Sequence, residues 1–498
     1  VERDGGRLGG NATAQLLPID ATRVPDGAKT GLTPSARWAL WSLSLAMLMP
    51  SLDTSIANAG LPTIARSLGA SFQEAQWIVI SYLLAITTLI VSVGRLGDLI
   101  GRRRLLLAGI ALFTVASFLC GVAPTIGLLV AARAAQGLGA AIMMALTVAF
   151  VGETVPKERT GSAMGLLGTM SAIGTTLGPS LGGAMIAGVG WRSIFLVNVP
   201  LGGALFFLAR HFLPADKSET RGDRPAFDKP GTLLLALTLG AYALAMTIGR
   251  GHFGSLNLAL LLGAVIGAGL FVLAESKAAS PLIRLAMLRD PALSASLATS
   301  AIVSTVMMAT LVVGPFHLSL ALGLEAALVG LALSVGPLVA ALAGIPAGRL
   351  ADRFGAPRMT LVGLSGIACG AALVAILPTT LGLAGYLAPI AVMTASYALF
   401  QVANNTVVMT NAGAERRGVV SGMLSLSRNL GLITGASVMG AVFAGATAAT
   451  DIVAARPEAV AAGTRATFGV SAALIIGAIV VATSSWLLSR RSATAATK

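Results

Sequence analysis

The chain has 498 residues, of which 55% are hydrophobic and only 11% charged, and its mean hydropathy is +0.85. Soluble proteins carry about 25% charged residues, so this composition excludes a string of soluble domains and points to an all-α protein that crosses a bilayer many times. The net charge of +14, from 34 Lys and Arg against 20 Asp and Glu, reads in so apolar a chain as basic cytoplasmic loops rather than nucleic-acid binding.

Residues 1–37 are polar and lack an apolar core segment, so a cytoplasmic tail is expected there rather than a cleaved signal peptide. Apolar runs long enough to span follow at 38–60, 76–97, 104–123, 126–150, 161–188 and 193–213. These define an N-terminal six-helix domain over 38–213. A polar linker over 214–230 comes next, then two further runs, 231–249 and 256–274, in an inserted segment over 231–275. A cytoplasmic loop over 276–292 carries Arg284 and Arg289. Six more runs, at 293–318, 326–348, 359–378, 383–410, 418–447 and 467–488, form a C-terminal domain over 293–488, with a tail at 489–498. The total is fourteen spans, so both termini share one side. If that side is the cytoplasm, 27 Lys and Arg lie there, five lie outside and two lie within spans. That asymmetry sets the orientation.

The two six-helix blocks repeat one another. Gly94-Arg-Leu-Gly-Asp-Leu-Ile-Gly-Arg-Arg-Arg aligns with Gly348-Arg-Leu-Ala-Asp-Arg-Phe-Gly-Ala-Pro-Arg at an offset of 254. Glu158-Arg-Thr-Gly-Ser-Ala-Met-Gly aligns with Glu415-Arg-Arg-Gly-Val-Val-Ser-Gly at an offset of 257, and in that register Gly174, Gly178 and Gly183 match Gly431, Gly435 and Gly440. Duplicated membrane halves point to a secondary transporter whose substrate site lies between them near the midplane.

These residues resemble the major facilitator superfamily, and within it the fourteen-helix branch of drug:proton antiporters. Gly94, Asp98, Gly101, Arg102, Arg103 and Arg104 match its loop motif between helices 2 and 3, and Leu129, Arg133, Gln136, Gly137 and Gly139 its helix 4 motif. Gly174, Gly178, Pro179, Gly182 and Gly183 match the helix 5 antiporter motif, which the resemblance associates with export. Leu52-Asp-Thr-Ser-Ile-Ala-Asn-Ala-Gly-Leu-Pro62 is similar to the helix 1 signature of the branch, and Trp191–Pro200 to a further branch feature, with Ser193 where an aromatic is usual. The second loop motif departs from the pattern, with Ala356-Pro357 in place of two arginines, and its Asp352 network is thinner. The run Ala326–Gly348 lacks the acid by which some members of the branch recognise divalent cations. The resemblance implies that the Asp98–Arg102–Arg104 turn and its Asp352 counterpart stabilise one access state, and that the helix 5 glycines and Pro179 serve gating.

With loop charges set aside, three ionisable groups are expected inside the spans: Asp53, the one acid, with Arg133 and Arg428. A charge at membrane depth costs about 2.5–3.5 kcal/mol even on the lenient insertion scale, so such groups tend to be paired and functional. At about 1.5 Å per residue, Asp53 and Arg133 reach similar depth on helices 1 and 4. Asp53 is the candidate proton carrier: burial disfavours its charged form and a nearby Arg133 favours it, so movement between two settings couples protonation to conformation. The alternative is a permanent pair that only holds two helices together. Arg428 suits repelling cations, binding an anionic group or pairing with carbonyls at a broken helix. Its partner in the internal alignment is Ser171.

Asn58, Gln136, Asn198, Gln401, Asn404 and Asn405 are polar candidates for the cavity lining, with Tyr82 and Met143 as apolar ones; each has interhelical packing as its alternative. His317 is expected at the interface. The two cysteines and three histidines are scattered, so neither a disulfide framework nor a metal site is expected, and no cofactor beyond a proton gradient. The expectation is a bacterial inner-membrane antiporter exporting amphipathic small molecules against protons. A dedicated exporter of one endogenous metabolite is the alternative, and a membrane sensor or enzyme is a distant third.

Overall fold

The computed structural model describes residues 34–90, 92–154, 160–216, 229–248, 254–277, 285–411, 417–449 and 451–496. Among the described residues the regular structure is helical throughout. The first half comprises α1 (Pro34–Leu68), α2 (Phe72–Ile90), α3 (Val93–Ile100), α4 (Arg102–Val122), α5 (Ile126–Thr154), α6 (Thr160–Gly188), α7 (Ser193–Leu196) and α8 (Asn198–Phe212). The inserted pair is α9 (Lys229–Thr247) and α10 (Ser255–Lys277). The second half comprises α11 (Pro291–Phe316), α12 (Ala326–Phe354), α13 (Ala356–Ile376), α14 (Gly382–Asn411), α15 (Arg417–Thr434), α16 (Gly440–Thr447) and α17 (Pro457–Ala496). Helices α2 and α3 form one crossing, as do α7 and α8, and α15 and α16 are joined by a π-turn over Gly435–Met439. The result is fourteen crossings in two six-helix halves plus an inserted pair.

Helix ends run past the apolar runs because backbone hydrogen bonding continues into the interface. Thus α1 extends to Leu68, beyond residue 60. Helix α2 starts earlier than its apolar run because Ser71 and Glu74 form a capping box: the Ser71 amide donates to Glu74 Oε2 at 2.7 Å and the Glu74 amide to Ser71 Oγ at 3.3 Å. Twelve crossings are long and apolar enough by composition to span a membrane. The other two, α1 and α6, carry Asp53, internal prolines and many Gly, Ser and Thr residues. They pack along each other, where facing protein relaxes the demand for apolarity.

The repeat is visible in this packing. Gly174 and Gly178 bring α6 against α1, a Cβ at Gly174 falling 2.7 Å from the Leu48 carbonyl oxygen and one at Gly178 overlapping Ser55. Their counterparts Gly431 and Gly435 bring α15 and its π-turn against the Ala301 and Thr305 carbonyls of α11. The next matched pair crosses between halves. A Cβ on Gly183 would stand 2.6 Å from the Ala326 carbonyl oxygen of α12, and one on Gly440 would overlap the Gln76 amide of α2. The halves are joined at this end of the bundle, where Arg66 Nη2 donates to Ser319 Oγ at 2.9 Å and Gln76 Nε2 to the Ala436 carbonyl at 2.6 Å. The Phe72 ring packs edge-on against Phe316 at 4.8 Å and beside Phe443 at 5.1 Å.

Helix α9 touches both halves. Trp77 Nε1 of α2 donates to Thr247 Oγ1 at 3.0 Å, and on the other side α9 packs against the Gly435–Met439 turn and α16 of the second half. Asn257 of α10 ties the pair together, its Nδ2 donating to the Ala245 and Ile248 carbonyls at 2.7 Å each.

Candidate functional site

Residues 133 and 136 stand three apart on α5 and so share one face, which turns toward α1. There Arg133 Nη1 donates to Asp53 Oδ2 and, at 2.6 Å, to Gln136 Oε1, while Nε donates to the Ile78 carbonyl at 3.0 Å. The other carboxylate oxygen, Oδ1, accepts from Gln136 Nε2 and from Asn198 Nδ2, each at 2.8 Å. Gln136 Nε2 also donates to Ser117 Oγ at 2.7 Å. The guanidinium lies over the Tyr82 ring, 4.2 Å from its centroid, with Phe195 at 5.7 Å. Asp53 is 1% exposed and Arg133 0%. Five crossings, α1, α2, α4, α5 and α7–α8, thus converge on one sealed ion pair, most of whose polar atoms are hydrogen-bonded as a buried pair requires, while Arg133 Nη2 has no partner. Arg133→Ala strands the Asp53 carboxylate and is expected to cost about 3–5 kcal/mol, read as a fall in the detergent-solubilised protein's unfolding temperature. Asp53→Asn also leaves the Arg133 charge unpaired, but it keeps an amide oxygen as an acceptor at the same place and is expected to cost less.

The other cavity candidates divide. Gln136 belongs to the ion-pair network, and Tyr82, with its hydroxyl donating to the Pro50 carbonyl at 3.3 Å, forms the floor beneath Arg133. Met143 lies in the apolar core with Phe113 and Ile110, and Asn58 is buried with neither amide atom partnered. Asn404 is buried against α11, Nδ2 donating to the Ser296 carbonyl at 3.3 Å. None of these five presents a free surface. Gln401 is half-buried and donates to the Tyr397 hydroxyl at 2.8 Å, Asn405 is exposed, and Arg428 is half-buried on α15. His317 is buried, not interfacial, its ring 5.1 Å from Tyr386 and its Nδ1 without a partner.

At the opposite end of the bundle, Gly101 takes φ +104° between α3 and α4, a conformation that favours glycine. Asp216, from the segment after α8, seats on this turn. Its Oδ1 accepts from the Arg103 amide at 2.7 Å and its Oδ2 from the Arg104 amide at 3.2 Å. The carboxylate thereby caps the N-terminus of α4 and favours its dipole. Arg103 Nη2 also donates to the Arg210 carbonyl. A Cβ at Gly101 would stand 2.5 Å from Asp216 Oδ2. Gly101→Ala is therefore expected to lower the unfolding temperature through both strain and lost capping, and Asp216→Ala in the same chain to remove the steric part; a double-mutant cycle reads the coupling. The Asp98 side chain lies outside the described residues. Gly94 and Asp352 are exposed, and Gly355 repeats the positive φ, at +88°, with open space around it. Of the remaining glycines, Gly182 lies against Ile56 of α1, and the Pro179 carbonyl meets Gly330 of α12.

Sequence reasoning missed Asp216, Ser117 and the bond from Asn198 to Asp53. Asn198 reads in the sequence as one of the neutral polar candidates for the cavity lining, and the structure places it on the carboxylate instead. Asp216 had no local signal, because it acts across more than a hundred residues on a turn it does not adjoin.

Comparison with known proteins agrees with this architecture. The family model described as the Major Facilitator Superfamily matches residues 43–436. The chain belongs to the Major Facilitator Superfamily. A relative in Mycobacterium tuberculosis (strain H37Rv), named multidrug resistance protein Stp, is 34% identical over 422 residues, covering 82% of this chain and 76% of that protein. A probable actinorhodin transporter of Streptomyces coelicolor is 32% identical over 478 residues, covering 91% and 81%. In fold, the chain is similar to a bacterial homologue of the human lysosomal transporter Spinster in an inward-facing, occupied conformation, with a TM-score of 0.67 at 15% identity over 91% of this chain and 97% of that one. As a Major Facilitator Superfamily member, the protein is a multi-pass secondary transporter of small molecules and not an enzyme.

Proposed function

We propose that the protein is a proton-coupled antiporter that exports amphipathic organic compounds across the bacterial inner membrane by alternating access, with both termini in the cytoplasm and no cofactor beyond the proton gradient. The observation that carries this reading is the sealed Asp53–Arg133 pair, among the described residues the one place deep in the two halves where a carboxylate and a cation share a dry site. A proton on Asp53 cancels its charge and releases its hold on Arg133, while Gln136 and Asn198 keep hydrogen bonds to the carboxyl. Helix α1 carries that change to the joined end, because the same helix packs on α6 and donates across the seam from Arg66 to Ser319. The Gly101 turn, with Gly94, Asp98, Arg102 and Arg104, and the Gly174–Gly183 stripe with Pro179 would be the elements that change register between states, with Asp352 as the weaker counterpart.

The likeness to a multidrug resistance protein supports export of varied drugs. A second reading, a dedicated exporter of one endogenous compound, is supported by the likeness to a probable actinorhodin transporter. Inverted membrane vesicles with an acidic interior test both. Accumulation of several unrelated dyes, each with proton release, supports the first reading. Accumulation of a single acidic compound supports the second, and movement of none with the gradient intact overturns both.

A further inference from the structure

We infer that Arg428, with Tyr397 and Gln401, forms an anion subsite, so that the transported compound is an organic acid bearing a carboxylate or phenolate on an aromatic frame. The inference rests on the reading of the chain as an exporter with its substrate held between the halves.

The only carboxylate deep in the spans of the two halves, Asp53, is sealed away with Arg133, so together they present no net charge to a ligand. Arg428 stands about eleven residues, roughly 16 Å, into α15, and no carboxylate among the described residues pairs with it. The Gly431–Gly435 face of α15 is taken up by α11, and Ser427 Oγ donates to the Leu297 carbonyl at 2.6 Å. Arg428, three residues before Gly431, flanks that contact on the same side of α15, and its half-buried side chain lies near enough to the Tyr397 hydroxyl of the adjoining α14 for its charge to act there; that hydroxyl accepts from Gln401 at 2.8 Å.

Tyr397, Gln401 and Asn405 recur every four residues on α14, forming one polar stripe that runs from half-buried to exposed. A polar stripe and an unpaired guanidinium at membrane depth do not face lipid, where each polar group would be costly. They face the space between the halves, the side on which α15 also meets α2. The matched position of the first half is Ser171, whose hydroxyl is 2.7 Å from Ser51 Oγ and carries no charge. The space is therefore positive on one wall and neutral on the other. A guanidinium there repels a cation and offers a planar fork to a carboxylate or phenolate, while Tyr397 supplies a ring and a hydroxyl beside it.

The test is equilibrium binding to the purified full-length protein in detergent, by fluorescence polarisation, with fluorescein as the anionic probe and rhodamine 6G as a cationic one of similar shape. The wild type is expected to prefer fluorescein. Arg428→Gln should weaken fluorescein by at least about tenfold and leave rhodamine 6G unchanged or tighter, whereas Arg428→Lys should retain part of the preference. Tyr397→Phe is a milder second variant and carries the test if Arg428→Gln does not fold; it should weaken fluorescein alone. Fluorescein binding unaffected by Arg428→Gln and Tyr397→Phe, or a wild type that prefers the cation, overturns the inference. No proton gradient is present in this assay, so failure of proton coupling in vesicles and failure of the anion subsite are read separately.

Discussion

Asp53→Asn is expected to abolish uphill, proton-driven transport while leaving the protein folded and its substrate bound. The amide is nearly isosteric with the carboxylate and keeps its oxygen acceptor for Gln136 or Asn198, but it neither takes up nor releases a proton and leaves the Arg133 charge without its partner. In inverted vesicles, dye accumulation and the matching proton release should both fall by at least about two orders of magnitude, in the range seen when a proton-transferring group is lost. Downhill exchange of substrate with no gradient should persist. Full gradient-driven accumulation at equal expression would remove Asp53 from the coupling role and reduce the pair to a brace between α1 and α5.

Gly183→Leu is expected to have the next largest effect, by a different route. At Gly183 the neighbouring atoms are backbone: the Ala326 carbonyl oxygen at 2.6 Å, Gly330 Cα at 3.1 Å and Ala327 Cα at 3.2 Å from where a Cβ would stand. Backbone cannot swing aside, so α6 and α12 must part, and the joined end must open. A shift of only about 1.4 kcal/mol between the two access states changes their ratio tenfold. Cysteines placed on α6 and α12 at this contact, with the exposed native Cys369 replaced by serine, should then crosslink far less readily than in the glycine parent, and transport should fall with them. Gly440→Ala provides the contrast. What a Cβ meets there is the end of the Gln76 side chain, which can rotate away at the cost of its bond to the Ala436 carbonyl, so a smaller loss is expected. Equal crosslinking in all three proteins would show that the seam does not depend on these close approaches.

Much of this was legible in the residues. Apolar runs locate the crossings because hydrocarbon demands about 20 apolar residues each, and the depth arithmetic for Asp53 and Arg133 works because both helices are regular between those residues and the membrane edge. What the residues do not display is which neutral side chains turn inward to a charge and which outward to a cavity. Gln136, Tyr82 and Asn404 have the same polar or aromatic character as Gln401 and Tyr397, yet the first three are locked in interhelical contacts and the last two are only half-buried. That distinction depends on the rotation of α5, α2 and α14 about their axes, fixed by close approaches from neighbouring helices such as Gly137 against the Tyr82 carbonyl and Gly363 against the Phe400 backbone. The π-turn at Gly435–Met439 is similarly silent, because the matched stretch of α6 around Gly178 stays α-helical with a proline in it.

The inserted pair has a mechanical consequence. Helix α9 is fastened to the first half through Thr247 and Trp77 and packs against the second along the Gly435–Met439 turn and α16. A body held by two others cannot follow both when they rock against one another, so the alternating access proposed above would shear one of these contacts or drag the pair sideways through lipid. If the halves rock as proposed, the inserted helices are expected to act on how fast the halves exchange rather than on how tightly either holds its cargo.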